Sequence, residues 1–155
     1  MKNPHSSLSP LDYAYRLIAQ RDYSEQELST KLLMKGFTEE AVVHTVALLK
    51  EQKYLHDSRL AADQMERLQT QGFGPEGIKA KLARKGFSSA TIAHILTTNQ
   101  EIDVRTSARK LLASRFSADA LQQPQTYARA FRLLLRRGYS QDVVESVMGN
   151  APGDD

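Results

Sequence analysis

Lys35-Gly36-Phe37-Thr38 recurs as Lys85-Gly86-Phe87-Ser88 and once more as Arg137-Gly138-Tyr139-Ser140. Each copy reads base, glycine, aromatic, hydroxyl. The three glycines stand at intervals of 50 and 52 residues. In physical terms each copy is a helix stop followed at once by a helix start. A cation in the last turn suits the negative end of the helix dipole. Glycine just past the helix adopts the left-handed conformation without steric cost. The aromatic can fold back onto the helix that has ended, and Thr or Ser caps the next one by accepting a hydrogen bond from a free backbone N–H. A corner repeated at a near-constant period of this size predicts tandem helical units.

Working outward from the corners, apolar residues recur at helical spacing. Ser9-Pro10 is a start signal, with the cap first and proline at the first helical position. Tyr13, Ala14, Leu17 and Ile18 then mark a helix to about Arg21. Ser24 and Glu27 form a capping-box pair, and Leu28, Leu32 and Leu33 carry the stripe to Gly36. Val42, Val43, Val46 and Leu49 complete a first unit of three helices. A second unit opens at Asp57, expected to cap the next helix, and uses Leu60, Ala61, Met65, Leu68, Ile78, Leu82, Ile92, Ile95 and Leu96. A third uses Val104, Ala108, Leu111, Leu112, Tyr127, Ala130, Phe131, Leu134, Val143, Val144, Val147 and Met148, with Ser117–Gln123 as a longer connection. No sustained two-residue alternation occurs between turn signals, so no sheet is expected. The predicted fold is all-α: three tandem three-helix repeats, about nine helices, in an elongated array. The expected boundaries are a flexible tail over 1–8, repeats over 9–56, 57–98 and 99–149, and a C-terminal tail over 150–155.

Composition narrows the function classes. The 155 residues are 41% hydrophobic and 25% charged, with net charge +3, and mean hydropathy is −0.47. A string of small bundles with much surface fits these values. Basic and acidic side chains number 7 and 7 over residues 1–56, 6 and 4 over 57–100, and 8 and 5 over 101–150. Positive charge therefore gathers in the second and third units. There is no cysteine, which rules out disulfides, thiolate nucleophiles and cysteine metal sites. No apolar run approaches the ~20 residues of a membrane span, and Met1–Ser7 lacks the apolar core of a secretory signal. A soluble, cytoplasmic protein with no membrane contact is expected.

Three motifs invite a chemical reading. Gly72-Phe73-Gly74-Pro75-Glu76-Gly77 matches the G-x-G-x-x-G of dinucleotide sites, but that motif works only after a strand, and a helix is expected here. His44 and His94 lie at matching places in two units, and His5 and His56 stand apart; no further ligands converge on them in sequence. Serines sit at helix caps and carboxylates at caps and exposed faces, so no nucleophile–base–orienter set stands out. Neither catalysis nor a cofactor is expected.

The basic stripes carry more. Arg129, Arg132 and Arg136 fall at i, i+3 and i+7, on one helix face, with Arg137 beside them. Lys81, Arg84 and Lys85 share a face in the second unit, with Lys79 to one side. Between Tyr127 and Ser140 there are four arginines and no acid. A solvated helix face is the plain reading of such runs. A contact surface for phosphate or carboxylate is the other, because guanidinium groups bind these bidentately. Lys35 has no stripe around it, which points the first unit toward a protein instead.

Four blocks in order carry a family resemblance. They are Arg21-Asp22-Tyr23-Ser24-Glu25-Gln26-Glu27-Leu28 with Lys31-Leu32, and Tyr54-Leu55-His56-Asp57-Ser58-Arg59-Leu60-Ala61, similar to "YLDDxRFA". Then come Gly72 to Ile78 with Leu82 and Lys85-Gly86, similar to "GxGPxRIxxxLxxKG", and Phe131 to Tyr139, similar to "RFLxxRGY". Over residues 12–148 the chain resembles the RecX family, helical regulators of the RecA recombinase. It departs at His56, where the family has an acid, at Leu60, where it has an aromatic, and at Gly77, where it often has arginine. The resemblance implies a non-enzymatic partner of RecA, above all of its filament on single-stranded DNA, in recombinational repair and SOS control. Such proteins oppose filament extension, favour disassembly and lower ATPase, strand-exchange and co-protease activity. A monomer is expected, with the eight basic residues named above as filament contacts and weak direct DNA contact as a possible addition. A helical DNA-binding protein acting without RecA is the alternative, and an enzyme with a hidden site a third.

Overall fold

The computed structural model describes residues 8–99 and 103–153; of the expected tails, residues 1–7 and 154–155 lie outside them. Ten helices occur among the described residues, and no strand: α1 Pro10–Ile18, α2 Glu25–Lys35, α3 Glu39–Glu51, α4 Asp57–Thr70, α5 Pro75–Arg84, α6 Ser89–Thr98, α7 Val104–Arg115, α8 Ala118–Leu121, α9 Pro124–Arg136 and α10 Gln141–Met148. They form three three-helix units in tandem. α8 is the addition: a single turn within the expected connection, capped by the Ser117 hydroxyl at the Ala120 amide, 3.2 Å.

Each unit has its own core. Leu28, Leu32, Val42, Val46 and Leu49 meet Ala14 and Tyr23 in the first, joined by Leu55 from the following link. Met65, Leu68, Ile78, Leu82, Phe87, Ile92 and Ile95 fill the second. Leu111, Leu112, Ala130, Leu134, Tyr139 and Val144 fill the third. The corner aromatics Phe87 and Tyr139 are buried, and Phe37 packs partly buried against its core, so the same four residues that turn the chain also anchor it.

The corners have the expected geometry. Gly36, Gly86 and Gly138 have φ of 103°, 90° and 90°. Behind each, the aromatic's N–H reaches back to the carbonyl of Leu32, Leu82 or Leu134 at 3.3, 3.3 and 3.1 Å. The glycine's N–H reaches Leu33, Ala83 or Leu135 at 2.9, 3.0 and 3.0 Å. This is the paired closure of a Schellman motif. Ahead of each, Thr38, Ser88 and Ser140 accept from the amides of Ala41, Thr91 and Val143. The Ser24–Glu27 capping box is also present.

Two local expectations change. α1 stops at Ile18, short of Arg21. Asp57 does not cap its own helix: His56 occupies the N-cap position without a side-chain bond. Asp57 is the first residue of α4 instead, and its Oδ1 accepts the Glu25 amide, 3.0 Å away, at the start of α2. The carboxylate caps a neighbouring helix because α4 begins where the first turn of α2 leaves N–H groups free.

Candidate anion-binding groove and the joints between units

α9 starts at Pro124, and its core face carries Ala130 and Leu134, both fully buried. The i, i+3, i+7 spacing puts Arg129, Arg132 and Arg136 on the exposed side. α7 packs against α10 and ends at Arg115, which lines the same groove with Phe116. Arg115, Phe116, Arg129, Arg132, Leu133 and Arg136 line an open cleft of about 390 Å³. Two ion pairs occur among the described residues, Arg21–Glu27 at 3.5 Å and Lys50–Glu25 at 3.2 Å, and neither involves this groove. Four arginines thus line one cleft, and none has a carboxylate partner among the described residues. Their mutual repulsion falls when an anion enters, and their planar donor forks match phosphate oxygens.

Arg115 is absent from the sequence stripe because it lies on another helix. The available signal was its position: a cation closing the first helix of a three-helix unit, next to an aromatic.

Arg137 faces elsewhere. Its Nη1 donates to the Gln71 carbonyl at 2.6 Å, and its guanidinium carbon lies 4.6 Å from the centre of the Phe73 ring. The Gly74 amide donates to the Arg137 carbonyl at 2.8 Å and the Glu76 amide to the Gly138 carbonyl at 3.1 Å. The Tyr139 hydroxyl donates to the Gly72 carbonyl at 3.1 Å. The third corner therefore docks on the N-terminus of α5 and the C-terminus of α4. Burial pushes the Tyr139 hydroxyl above its usual pKa, with Arg137 opposing. The glycines of the G-x-G-x-x-G match serve this joint. An added Cβ on Gly74 would meet the Gly138 carbonyl at 2.7 Å, and one on Gly77 would overlap the Arg137 carbonyl. The Gly74 and Glu76 N–H groups are taken by the carbonyls of Arg137 and Gly138, and α4 rather than a strand precedes the motif.

The second corner docks on the first unit through side chains of α2 rather than through its amides. The Ser24 hydroxyl, at the N-cap of α2, donates to the Lys85 carbonyl at 3.4 Å, and the Gln26 side chain covers Gly86. This joint is looser. Arg84 and Lys85 face Arg21, Gln26, Glu27 and Lys31 across a cleft of about 230 Å³. Lys85 Nζ also donates to Gln64 Oε1 at 2.7 Å. Lys81 Nζ stands 4.6 Å from the centre of the Phe73 ring, and Lys79 is exposed. The eight basic residues expected to act together thus divide. Arg129, Arg132 and Arg136 share the groove with Arg115, Arg84 and Lys85 line the first joint, Arg137 and Lys81 flank Phe73, and Lys79 stands alone.

Among the described residues no group of three or more side chains is arranged to hold a metal ion. His44 and His94 are exposed at equivalent places on α3 and α6. Among the described residues no helix is long and apolar enough to cross a membrane.

A sequence profile for "RecX, first three-helix domain" matches residues 11–49. Regulatory protein RecX of Stenotrophomonas maltophilia strain K279a is 32% identical over 146 residues, spanning 94% of this chain and 89% of the relative. The chain belongs to the RecX family. A second RecX, from Cronobacter sakazakii, is 31% identical over 150 residues, with 90% of each chain covered. The crystal structure of RecX from Lactobacillus salivarius superposes with a TM-score of 0.74 at 16% identity, over 90% of this chain and 92% of that one. Another RecX crystal structure gives 0.77 at 22% identity, over 91% and 70%. The array of three-helix units is therefore the fold of solved RecX proteins, and the relatives bear a regulatory name.

Proposed function

We propose that this RecX-family chain is a non-enzymatic negative regulator of RecA, bound to the recombinase filament on single-stranded DNA. It blocks filament extension or promotes disassembly, and so lowers ATPase, strand-exchange and co-protease activity. The observation that carries the reading, beside family membership, is the groove of Arg115, Arg129, Arg132 and Arg136, four cations without an ion-pair partner among the described residues. A filament on DNA offers phosphates and acidic side chains in a regular array, and an extended repeat gains affinity from several modest contacts on one such ligand. Arg84 and Lys85 at the first joint add a second, weaker anion contact.

The test is RecA ATPase on single-stranded DNA titrated with this protein and with an Arg129→Glu/Arg132→Glu/Arg136→Glu variant. Inhibition by the parent and its relief in the variant, with helical circular dichroism unchanged, is the expected result. Equal inhibition by both removes the groove from the mechanism. DNA binding of the same strength without RecA, falling steeply with salt as counterions are released, would favour the alternative of an independent DNA-binding protein.

A further inference from the structure

The joint between the first and second units is fastened at one end. Two hydrogen bonds pin the start of α2 to the second unit: the Ser24 hydroxyl donates to the Lys85 carbonyl at 3.4 Å, and the Glu25 amide to Asp57 Oδ1 at 3.0 Å. Farther along α2, Thr30 and Lys31 face Arg84 and Lys85 across the cleft of about 230 Å³. Among the described residues no hydrogen bond links these four side chains across it.

The two walls carry like charge. Arg21 and Lys31 line the first unit's side, Arg84 and Lys85 the second's, and all four are exposed. Glu27 is the one carboxylate in the lining, and it is already engaged. Its Oε2 accepts the Ser24 amide at 3.0 Å in the capping box and lies 3.5 Å from Arg21 Nη1. Arg21 is held in place: Nη1 also donates to the Asp22 carbonyl at 2.9 Å, and its guanidinium carbon lies 3.8 Å from the centre of the Tyr23 ring. The partner of Lys85 Nζ, Gln64 Oε1, is neutral. Lys31 and Arg84 have no ion-pair partner among the described residues. A helix face in solvent spreads its charge, whereas cations on opposed walls of a cleft repel one another and concentrate positive potential between them. The first unit contributes through Lys31 rather than through its corner cation Lys35, whose Nζ lies 5.4 Å from the centre of the Tyr13 ring.

We propose that the cleft between the first and second units binds a phosphate-bearing anion, with Lys31 and Arg84 as its opposed contacts and Arg21 and Lys85 completing the site. Adjacent phosphoryl groups fit better than a single carboxylate. They present more oxygens and more charge, enough to engage both walls at once, and the Arg84 guanidinium can hold two of the oxygens. Pyrophosphate and neighbouring phosphodiesters of a nucleic acid share this chemistry. A ligand held by both walls ties together two units whose own hydrogen bonds lie at the start of α2. The inference rests on the reading above in taking Arg84 and Lys85 as anion contacts. Its test uses no RecA, so the two fail separately.

Binding is measured by calorimetry at fixed ionic strength in Arg129→Glu/Arg132→Glu/Arg136→Glu, where the groove of the third unit no longer competes. The titrants are pyrophosphate, a short single-stranded oligonucleotide and poly-glutamate. Lys31→Ala and Arg84→Ala are added singly and compared with Lys79→Ala, which alters an exposed cation outside the cleft. All three change exposed side chains, and circular dichroism checks each fold. At least a tenfold loss of affinity for pyrophosphate and for the oligonucleotide is expected from Lys31→Ala and from Arg84→Ala, with Lys79→Ala unchanged. The same pattern for one of the two alone also upholds the site and names the source of the phosphate. A loss with Arg84→Ala and none with Lys31→Ala places the anion on the second unit and overturns the two-walled site. Poly-glutamate bound as tightly as the phosphates overturns the ligand class. Binding of none of the three titrants overturns the site, and RecA regulation then stands or falls on its own ATPase test.

Discussion

Gly77 and Gly138 pack backbone against backbone, so closely that a Cβ on either would overlap the other unit's main chain. The contact lets the Glu76 amide reach the Gly138 carbonyl and the Gly74 amide reach that of Arg137. Main chain meets main chain at this joint, with the Arg137 and Tyr139 side chains bonded beside it, which ties the contact to the absence of two methyl groups.

Gly77→Ala is expected to destabilise the protein. Alanine in the third position of a helix gains roughly 0.5–1 kcal/mol over glycine. Overpacking against a backbone carbonyl that cannot rotate away costs roughly 1–3 kcal/mol, so the steric effect wins. Thermal denaturation should show a lower midpoint for the variant. A midpoint equal to or above the parent's would mean that the joint yields easily.

Tyr139 closes the same joint through its hydroxyl. Burial raises its pKa above the usual tyrosine value of 10.0. A folded pKa above the unfolded one means that the contribution is present below pH 10 and is lost as pH rises through the folded value. Tyr139→Phe removes the bond to the Gly72 carbonyl, a loss of about 0.5–1.5 kcal/mol at neutral pH. It also removes the ionisable group, so the gap between variant and parent should narrow in alkali. Chemical denaturation at pH 7 and above pH 10 measures both, and a gap that widens would contradict the assignment.

The corners were legible because each is a local device. The Schellman closure and hydroxyl cap depend on four consecutive residues, and their count set the number of units. The joints were not legible, because they pair residues 61 to 67 positions apart, such as Ser24 with Lys85 and Tyr139 with Gly72. Gly77 shows the difference. Its sequence context suggests only a weak spot in a helix, and its reason is a carbonyl from the next unit. Arg137 reads as one of four arginines in a run, yet its guanidinium binds the end of α4, and the groove takes Arg115 from α7 in its place.

Asp57 predicts an acid-range effect of the opposite sign to the usual carboxylate. Burial raises its pKa above 3.8, partly offset by the Glu25 amide that it accepts, and Glu25 itself raises it further while Lys50 lowers it. A raised carboxylate favours the folded state when protonated, and that advantage is lost as pH climbs from the unfolded value through the folded one. Asp57→Asn keeps an acceptor for the Glu25 amide without the charge. The variant should match the parent below pH 3.8 and become the more stable of the two above that range. Asp57→Ala, which strands the amide, should cost about 1–2 kcal/mol. Stability curves for the three proteins between pH 3 and 7 decide it, and a parent that gains on Asp57→Asn with rising pH would refute the sign.

Lys53 is the one non-glycine residue with positive φ among the described residues, at 62°. It closes α3 as the corner glycines close their helices: its N–H meets the Lys50 carbonyl at 3.0 Å, and the Tyr54 N–H meets that of Leu49 at 2.9 Å. A side chain in this conformation costs about 1–2 kcal/mol, and glycine's extra freedom when unfolded returns roughly 0.5–1 kcal/mol of that. Lys53→Gly should therefore raise stability by up to about 1 kcal/mol, read as a higher denaturation midpoint.

Arg115 separates a groove from a stripe. If the three arginines of α9 acted as a simple exposed face, a cation on α7 would add nothing to them. The structure brings Arg115 into the same cleft, beside Phe116, so an anion seated there meets both helices. Arg115→Ala alone should then weaken the salt-dependent part of filament binding by a similar factor to Arg132→Ala. Lys79→Ala, which alters an exposed cation outside both clefts, should leave it within error. Titrations at two salt concentrations give the comparison, because each lost phosphate contact flattens the dependence on salt by about one unit of slope. An Arg115→Ala slope equal to the parent's would return the arginines of α9 to the plain reading, a solvated helix face.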